Sequence, residues 1–482
     1  MKRRTFLYAA CGGACLAAGH VSGCAAGADR PARRRPNIVL IAADDLGYGH
    51  LGCYGQEKIR TPHIDRMARE GMRFTDFYAG FTVCAPSRSV LMTGLHHGHT
   101  PVRSNSGSSS LRADETTVAE VLHRAGYTTG GFGKWGLGIQ GTPGHPNRKG
   151  FDTFYGFYHQ VHAHFYYPYW IWHNDKKMPL PGNEDGKREQ YVEDVLHGKA
   201  MAFIRSSATR SQPFFCYIPS IVPHVELAVP EESVRPYRGK VPAKTINDPR
   251  KGYIGSDDAY AVYAGMISRL DRHVGEVLSL IDELGIAEET LVLFTSDNGP
   301  QGGPWKPLAD FFNGAGPLSG TKGTLLEGGI RVPLVARWPG HIEPGTVSDH
   351  VGGFQDMMPT FAELAGAEPP KTDGLSIVPT LLGRPGQKEH AYLYWGSPKR
   401  TQAVRMGRFK GFQVGKEPWR LYDLERDPAE QTDVASAHPA VVAEISAAAD
   451  EAYSPPREQV GGTRVGIRDF VSGPRITEEN AR

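Results

Sequence analysis

A chain of 482 residues carries 54 Lys and Arg against 52 Asp and Glu, a formal charge of +2. So even a balance excludes the broad basic excess of a nucleic-acid footprint, and the lack of any run of 18 apolar residues excludes a multi-span membrane protein. Hydrophobic residues at 40% and charged residues at 22% are ordinary for a globular protein, and the length permits two or three domains, or one large α/β domain with an appendage.

Residues 1–23 read as an export signal: Lys2-Arg3-Arg4, then a weakly apolar stretch rich in Gly and Ala. Arg3-Arg4-Thr5-Phe6-Leu7 has the twin-arginine pattern. Val21-Ser22-Gly23-Cys24 resembles a bacterial lipobox, which makes Cys24 the expected acylated start of the mature chain. The competing reading is a plain signal cleaved near the alanines at 25–27. Residues 24–36 read as a tether. The expected location is the periplasm or cell envelope, with the membrane touched only through that anchor. Without residues 1–23 the charges number 51 against 52, so any preference for anions must be local to a site.

Asn37–Ala43 is a short β-rich apolar run that reads as a buried strand ending in Asp44-Asp45. Residues 61–71 read as a helix, with Pro62 near its start and Gly71 at its end. A second helix is expected over 115–125, then a strand over Tyr127–Phe132. Residues 259–284 form a long amphipathic helix, with Met266, Ile267, Leu270, Val274, Val277, Leu278, Ile281 and Leu284 at helical spacing. The strand Leu291–Ser296 then runs straight into Asp297-Asn298-Gly299. This alternation predicts an α/β fold: a large, mainly parallel sheet sandwiched by helices. Ligands bind such sheets outside the carboxyl ends of the strands, where both acidic clusters stand. The large domain is expected over 37–385. Over 386–482 the pattern changes to a smaller antiparallel sheet (Ala391–Trp395, Gln402–Met406, Phe409–Val414, Trp419–Tyr422) with a helix near 438–451 and a polar tail.

Asp44, Asp45, Asp297 and Asn298 offer hard oxygen ligands from two strand ends, a set that suits Ca²⁺ or Mg²⁺ and lacks the imidazoles and thiolates of a zinc site. Pro86 belongs in the first turn of a helix, which puts Cys84 at a helix N-terminus, where an anionic group is favoured. Cys84-Ala85-Pro86-Ser87-Arg88, followed by Thr93-Gly94, resembles the signature of type I sulfatases, formylglycine-dependent members of the alkaline phosphatase superfamily. The resemblance extends over nearly the whole mature chain. It takes in Asn37–Asp45, Gly133-Lys134-Trp135, Pro223-His224, Ser296–Gly299, Lys322–Pro333 and Leu421–Glu430.

The resemblance implies that Cys84 is oxidised by a formylglycine-generating maturation enzyme and hydrated to a geminal diol that attacks sulfur and also ligates the metal. Asp44, Asp45, Asp297 and Asn298 would complete the metal site. Arg88 would stabilise the ionised diol, Lys134 and Lys322 would hold the sulfate oxygens, and His224 would protonate the leaving alcohol. The implied substrates are sulfate monoesters, either aryl sulfates or sulfated carbohydrates. Two rivals stand beside this reading: a phosphomonoester or phosphonate monoester hydrolase of the same superfamily, and a non-catalytic relative that binds sulfated glycans.

The pattern departs at Gly136, where many family members have histidine. Among the candidates to replace it, Ala163-His164 before Phe165-Tyr166-Tyr167-Pro168 marks His164 as a substrate-pocket residue, while His96, His97 and His99 are weaker candidates. Arg103 and Asn105 are placed either at the site or in a closing loop. The aromatics of 151–173 suit either a sugar platform or a packed loop. Cys53 and Cys216 are left, with their pairing open.

Overall fold

The computed structural model describes residues 35–105, 109–248, 253–458 and 460–461. The export signal, Cys24 and the tether through Arg34 lie outside the described residues, as does the tail after 461.

Ten strands form the main sheet: β1 (Asn37–Ala43), β2 (Met72–Phe74), β3 (Thr128–Lys134), β4 (Thr153–Phe157), β5 (Trp170–His173), β6 (Lys176–Pro179), β7 (Phe214–Pro219), β8 (Thr290–Ser296), β9 (Leu334–Arg337) and β10 (Thr346–Ser348). Their order is β10-β2-β9-β8-β1-β7-β3-β4-β5-β6. The five central strands, β8-β1-β7-β3-β4, are all parallel. The outer strands at both ends include antiparallel pairs, so the sheet is mixed.

Every residue of β1 is buried, as the continuous apolar run requires of a strand covered on both faces. Alternation then splits its side chains between two cores: Val39, Ile41 and Ala43 pack on one side, and Ile38, Leu40 and Ala42 on the other. β7 and β8 divide in the same way, with Cys216 and Phe294 on the first side and Tyr217 and Leu293 on the second.

The helices bearing on the argument are α1 (Pro62–Arg69), α2 (Cys84–Thr93), α3 (Val118–Arg124), α4 (Val192–Ala208), α5 (Ala259–Glu283), α6 (Met357–Ala365) and α7 (Pro439–Ala452). The expected stripe of α5 is buried from Met266 to Ile281, with Leu284 packed at its edge. α4 escaped the periodicity because Glu193, His197 and Ser207 lie among its buried residues. A four-stranded antiparallel sheet follows: β11 (Leu393–Gly396), β12 (Thr401–Met406), β13 (Phe409–Val414) and β14 (Arg420–Asp423). α7 packs Ile445 and Ala449 against its Tyr394, Val404 and Leu421. No helix of the described residues is long and apolar enough to cross a membrane.

Candidate active site

The carboxyl ends of four adjacent parallel strands converge. β1 delivers Asp44 and Asp45, β8 delivers Asp297 and Asn298, β3 ends in Lys134, and the turn after β7 carries His224. This is the crevice that the strand order of an open α/β sheet creates. α2 enters from the side with Cys84 as its first residue, and all ten of its residues are buried. Asn105 Oδ1 accepts the free N–H of Ala85 at 2.8 Å, so the first turn is held by a side chain from the following loop.

Three carboxylates face three fixed cations. Lys134 Nζ lies 2.6 Å from Asp44 Oδ2, and Lys322 Nζ lies 2.6 Å from Asp45 Oδ2. Arg88 binds Asp297 Oδ2 through Nε at 3.0 Å and Nη2 at 2.8 Å, and its Nη1 donates to Lys134 O at 2.6 Å. Cys84 Sγ sits 3.2 Å from Asp44 Oδ1 and 3.7 Å from Lys322 Nζ. His224 Nε2 is 3.5 Å from Asp45 Oδ2, and its Nδ1 lies 2.6 Å from Val225 O, which fixes the proton on Nδ1 when the ring is neutral. The nine residues expected at the nucleophile, metal and anion positions are thus brought together, eight of them buried and Lys322 nearly so.

Burial and neighbouring charge shape each group. Burial opposes ionisation of Asp44, but the positive charges of Lys134, Arg88 and Lys322 outweigh it and hold that carboxyl well below the usual range. Asp297 and Asp45 are raised, by burial first. The Cys84 thiol is pushed up to about 12, by burial and then by Asp44, so an unconverted cysteine here is a poor thiolate nucleophile. His224 is driven well below its ordinary value by burial and by Lys322, so the resting ring is neutral.

A divalent cation fits this donor set. Asn298 donates through Nδ2 to Asp45 Oδ1 at 2.7 Å, while its Oδ1 is buried and has no hydrogen-bond partner among the described residues. A buried carbonyl oxygen left over beside three carboxylates is a hard ligand, and the chemistry is that of Ca²⁺ or Mg²⁺. Gln301, which donates to Asp45 Oδ2, belongs to the cluster and was not singled out from the sequence. Its only signal was a polar residue soon after the strand-end Asp-Asn pair.

His164 is also at the site. Its ring stacks on His224 with centroids 4.0 Å apart, and its Nδ1 lies 2.6 Å from the Tyr253 hydroxyl. The described contacts of Arg103 are those of a closing loop: it donates to Thr100 O and Ser454 O and lies over the Tyr453 ring, which fastens the chain after α7. His96 and His99 cluster with Asp373, and His97 stacks on Phe81 and binds Gly396; their described contacts lie outside the constellation. Gly136 has φ 77°, and a Cβ there would meet Gln160 Nε2 at 2.0 Å, so Gln160 fills the space of the absent side chain. The aromatics of 151–173 are mostly buried, including Phe154, Phe157, Phe165 and Tyr166, so they pack against the core along β4, β5 and the turns between them. Among the described residues, Cys53 and Cys216 form no disulfide.

An open α/β sheet with a buried nucleophile position, an oxygen-rich cation site and paired lysines defines a hydrolase for esters of a small oxyanion. The sulfatase family model matches residues 36–367, and the model of the C-terminal region of N-sulphoglucosamine sulphohydrolase matches 321–451. Arylsulfatase A of Homo sapiens is 34% identical over 469 residues, covering 85% of this chain and 86% of its own. N-acetylgalactosamine-6-sulfatase of Rattus norvegicus is 32% identical, covering 80% and 72%. Among solved structures, Ps i-CgsB in complex with k-i-k-neocarrahexaose superposes with a TM-score of 0.73 at 30% identity, covering 87% of this chain and 92% of its own. A phosphonate monoester hydrolase of Agrobacterium radiobacter, at 23% identity and a TM-score of 0.62, shares the fold. The chain belongs to the sulfatase family, within the alkaline phosphatase superfamily, and is a sulfuric ester hydrolase.

Proposed function

We propose that the protein removes sulfate from sulfated carbohydrates, using formylglycine made from Cys84 by a maturation enzyme and a bound Ca²⁺, and that it works outside the cytoplasm on a lipid anchor at Cys24. The observation that carries the chemistry is the Cys84 thiol, 3.2 Å from Asp44 and 3.7 Å from the Lys322 ammonium, inside the cluster that contains the unpartnered Asn298 oxygen. The carbohydrate preference is supported by relatives at 30% identity or more whose names specify sugar sulfates or whose structures hold an oligosaccharide.

When present, formylglycine supplies a hydrated nucleophile and the cation offsets charge that grows in the transition state. Asp44, Asp45, Asp297 and Asn298 would hold that cation. Lys134 and Lys322 flank residue 84 and attract the sulfate oxygens. Arg88, clamped by Asp297 and by Lys134 O, keeps a fixed positive charge on the far side. His224 is neutral at rest, and an anionic ester beside it raises its affinity for a proton, which its Nε2 then delivers to the leaving oxygen.

The test is a screen of purified, matured protein against sulfated sugars and aryl sulfates, with peptide mass analysis across residue 84. Sulfate release is expected, with loss of at least about 10³-fold in Cys84→Ala. Chelation is expected to lower both turnover and Tm, with Ca²⁺ restoring both. Phosphate release without sulfate release would overturn the reading.

A further inference from the structure

A second residue shapes the site from a segment that carried no motif. Tyr253 begins a short strand, Tyr253–Ser256, that pairs with Ile246–Asp248 away from the main sheet. Its hydroxyl lies 2.6 Å from His164 Nδ1, and its ring meets the imidazole edge-on at 69°. The strand itself is held to the His224 turn: Leu227 N donates to Ile254 O at 2.9 Å, and Ile254 N donates to Glu226 Oε1 at 3.3 Å. Tyr253 therefore has a fixed position relative to both histidines.

The two imidazoles stack at 4.0 Å with an interplanar angle of 18°. Burial is the first reason that a charge on His164 is disfavoured, and the positive charges of Lys134 and Lys322 add to it. A neutral imidazole has a single N–H, and its other nitrogen's partner decides where that hydrogen sits. A phenol is the stronger proton donor, so the Tyr253 O–H donates to Nδ1. The ring hydrogen must then be on Nε2.

We propose that Tyr253 is a positioning residue that locks His164 in the Nε2–H form, making His164 a neutral hydrogen-bond donor to an oxygen of the bound anionic ester. A neutral donor suits this task. It adds an interaction with the sulfate or its bridging oxygen without adding a fourth fixed cation beside Arg88, Lys134 and Lys322. It also occupies the neighbourhood of His224, so it orients the ester whose leaving oxygen His224 serves. The proposal rests on the sulfate-ester reading of the site for the ligand, but the tautomer does not depend on turnover.

Two measurements keep those apart. In Cys84→Ala protein labelled with ¹⁵N-histidine, long-range ¹H–¹⁵N correlation identifies the protonated nitrogen of each ring, with His164 assigned from its loss in His164→Gln. The expected His164 pattern is Nε2–H, replaced in Tyr253→Phe by a mixture of the two tautomers. An Nδ1–H pattern in the parent, or one unchanged by Tyr253→Phe, would overturn the proposal whatever the substrate proves to be. In matured enzyme acting on a sulfate ester, Tyr253→Phe is expected to lower kcat/KM about tenfold, and His164→Ala about a hundredfold. Adding Tyr253→Phe to His164→Ala is expected to cause no further loss. In His164→Gln, whose amide restores a donor without a tautomer, removal of the phenol is likewise expected to be silent. An equal loss in all three backgrounds would mean that Tyr253 does not act through His164.

Discussion

Gly136 is where this chain parts from the usual sulfatase pattern, and its backbone explains why a histidine cannot simply be put back. At φ 77° an L side chain is strained by about 1–2 kcal/mol, and a Cβ 2.0 Å from Gln160 Nε2 forces that amide to move. Gly136→His is therefore expected to lower Tm and to leave turnover no higher than in the parent. Gln160→Gly in the same chain relieves the clash and not the strain, so it restores only part of the Tm. A melting curve of the three proteins in one buffer checks this; a Gly136→His protein as stable as the parent would contradict it. Single residues were legible where a motif fixed their spacing to a strand end, as with Asp44, Asp45, Asp297 and Asn298. Gln301 and Tyr253 were not, because nothing local distinguishes a polar side chain that reaches a site from one that reaches solvent. The sequence left Arg103 and Asn105 between the site and a closing loop, because which way a loop side chain turns is set by distant partners: Ser454 for Arg103 and the Ala85 N–H for Asn105.

At the scale of elements, the buried strands and the long helix were readable because burial on both faces leaves an apolar run and burial on one face leaves a stripe. The outer strands β2, β9 and β10 are three or four residues long and antiparallel or parallel by tertiary pairing alone, so no period marks them. Tertiary contacts also hold α6. Asp356, the residue before its first turn, accepts from Gly353 N and Leu375 N, each at 2.8 Å, and from His390 Nε2 at 2.8 Å. Burial disfavours the charged His390 ring, but Asp356 more than offsets it and raises its pKa above 6.5. A raised histidine stabilises the fold fully below its unfolded pKa and loses that contribution as pH rises through the folded value. His390→Ala is thus expected to cost about 1–3 kcal/mol at pH 6 and distinctly less at pH 9, where only a neutral hydrogen bond is lost. Unfolding of parent and variant at the two pH values would show it; a pH-independent difference would mean the ring is neutral throughout.

For the whole molecule, the C-terminal sheet does more than cover one end. Lys410 of β13 has no exposed surface, and its Nζ lies 2.9 Å from Glu327 Oε1 and 2.8 Å from Glu430 Oε1. Glu327 also binds Tyr78 at 2.7 Å and Arg331 at 2.6 Å, and its backbone N–H donates to Glu430 Oε2 at 2.7 Å. Glu430, at the end of Leu421–Glu430, thus closes on the same loop that presents Lys322 to residue 84. Burial opposes the charge on Glu327, yet Lys410, Arg331 and Arg405 hold its carboxylate well below the usual range. Removing Lys410 would leave two buried carboxylates without their shared cation. Lys410→Met, which keeps the unbranched apolar stem and removes the ammonium, is expected to destabilise the protein by about 3–5 kcal/mol and to lower turnover as the Lys322 loop loosens. Lys410→Met combined with Glu430→Gln removes one charge of each sign, leaves Glu327 to Arg331, and should recover much of the stability, but not the loop's position. Stability and turnover would then separate across the series. If both returned together, the network would be a stability device alone, and the link from the C-terminal sheet to Lys322 would fail.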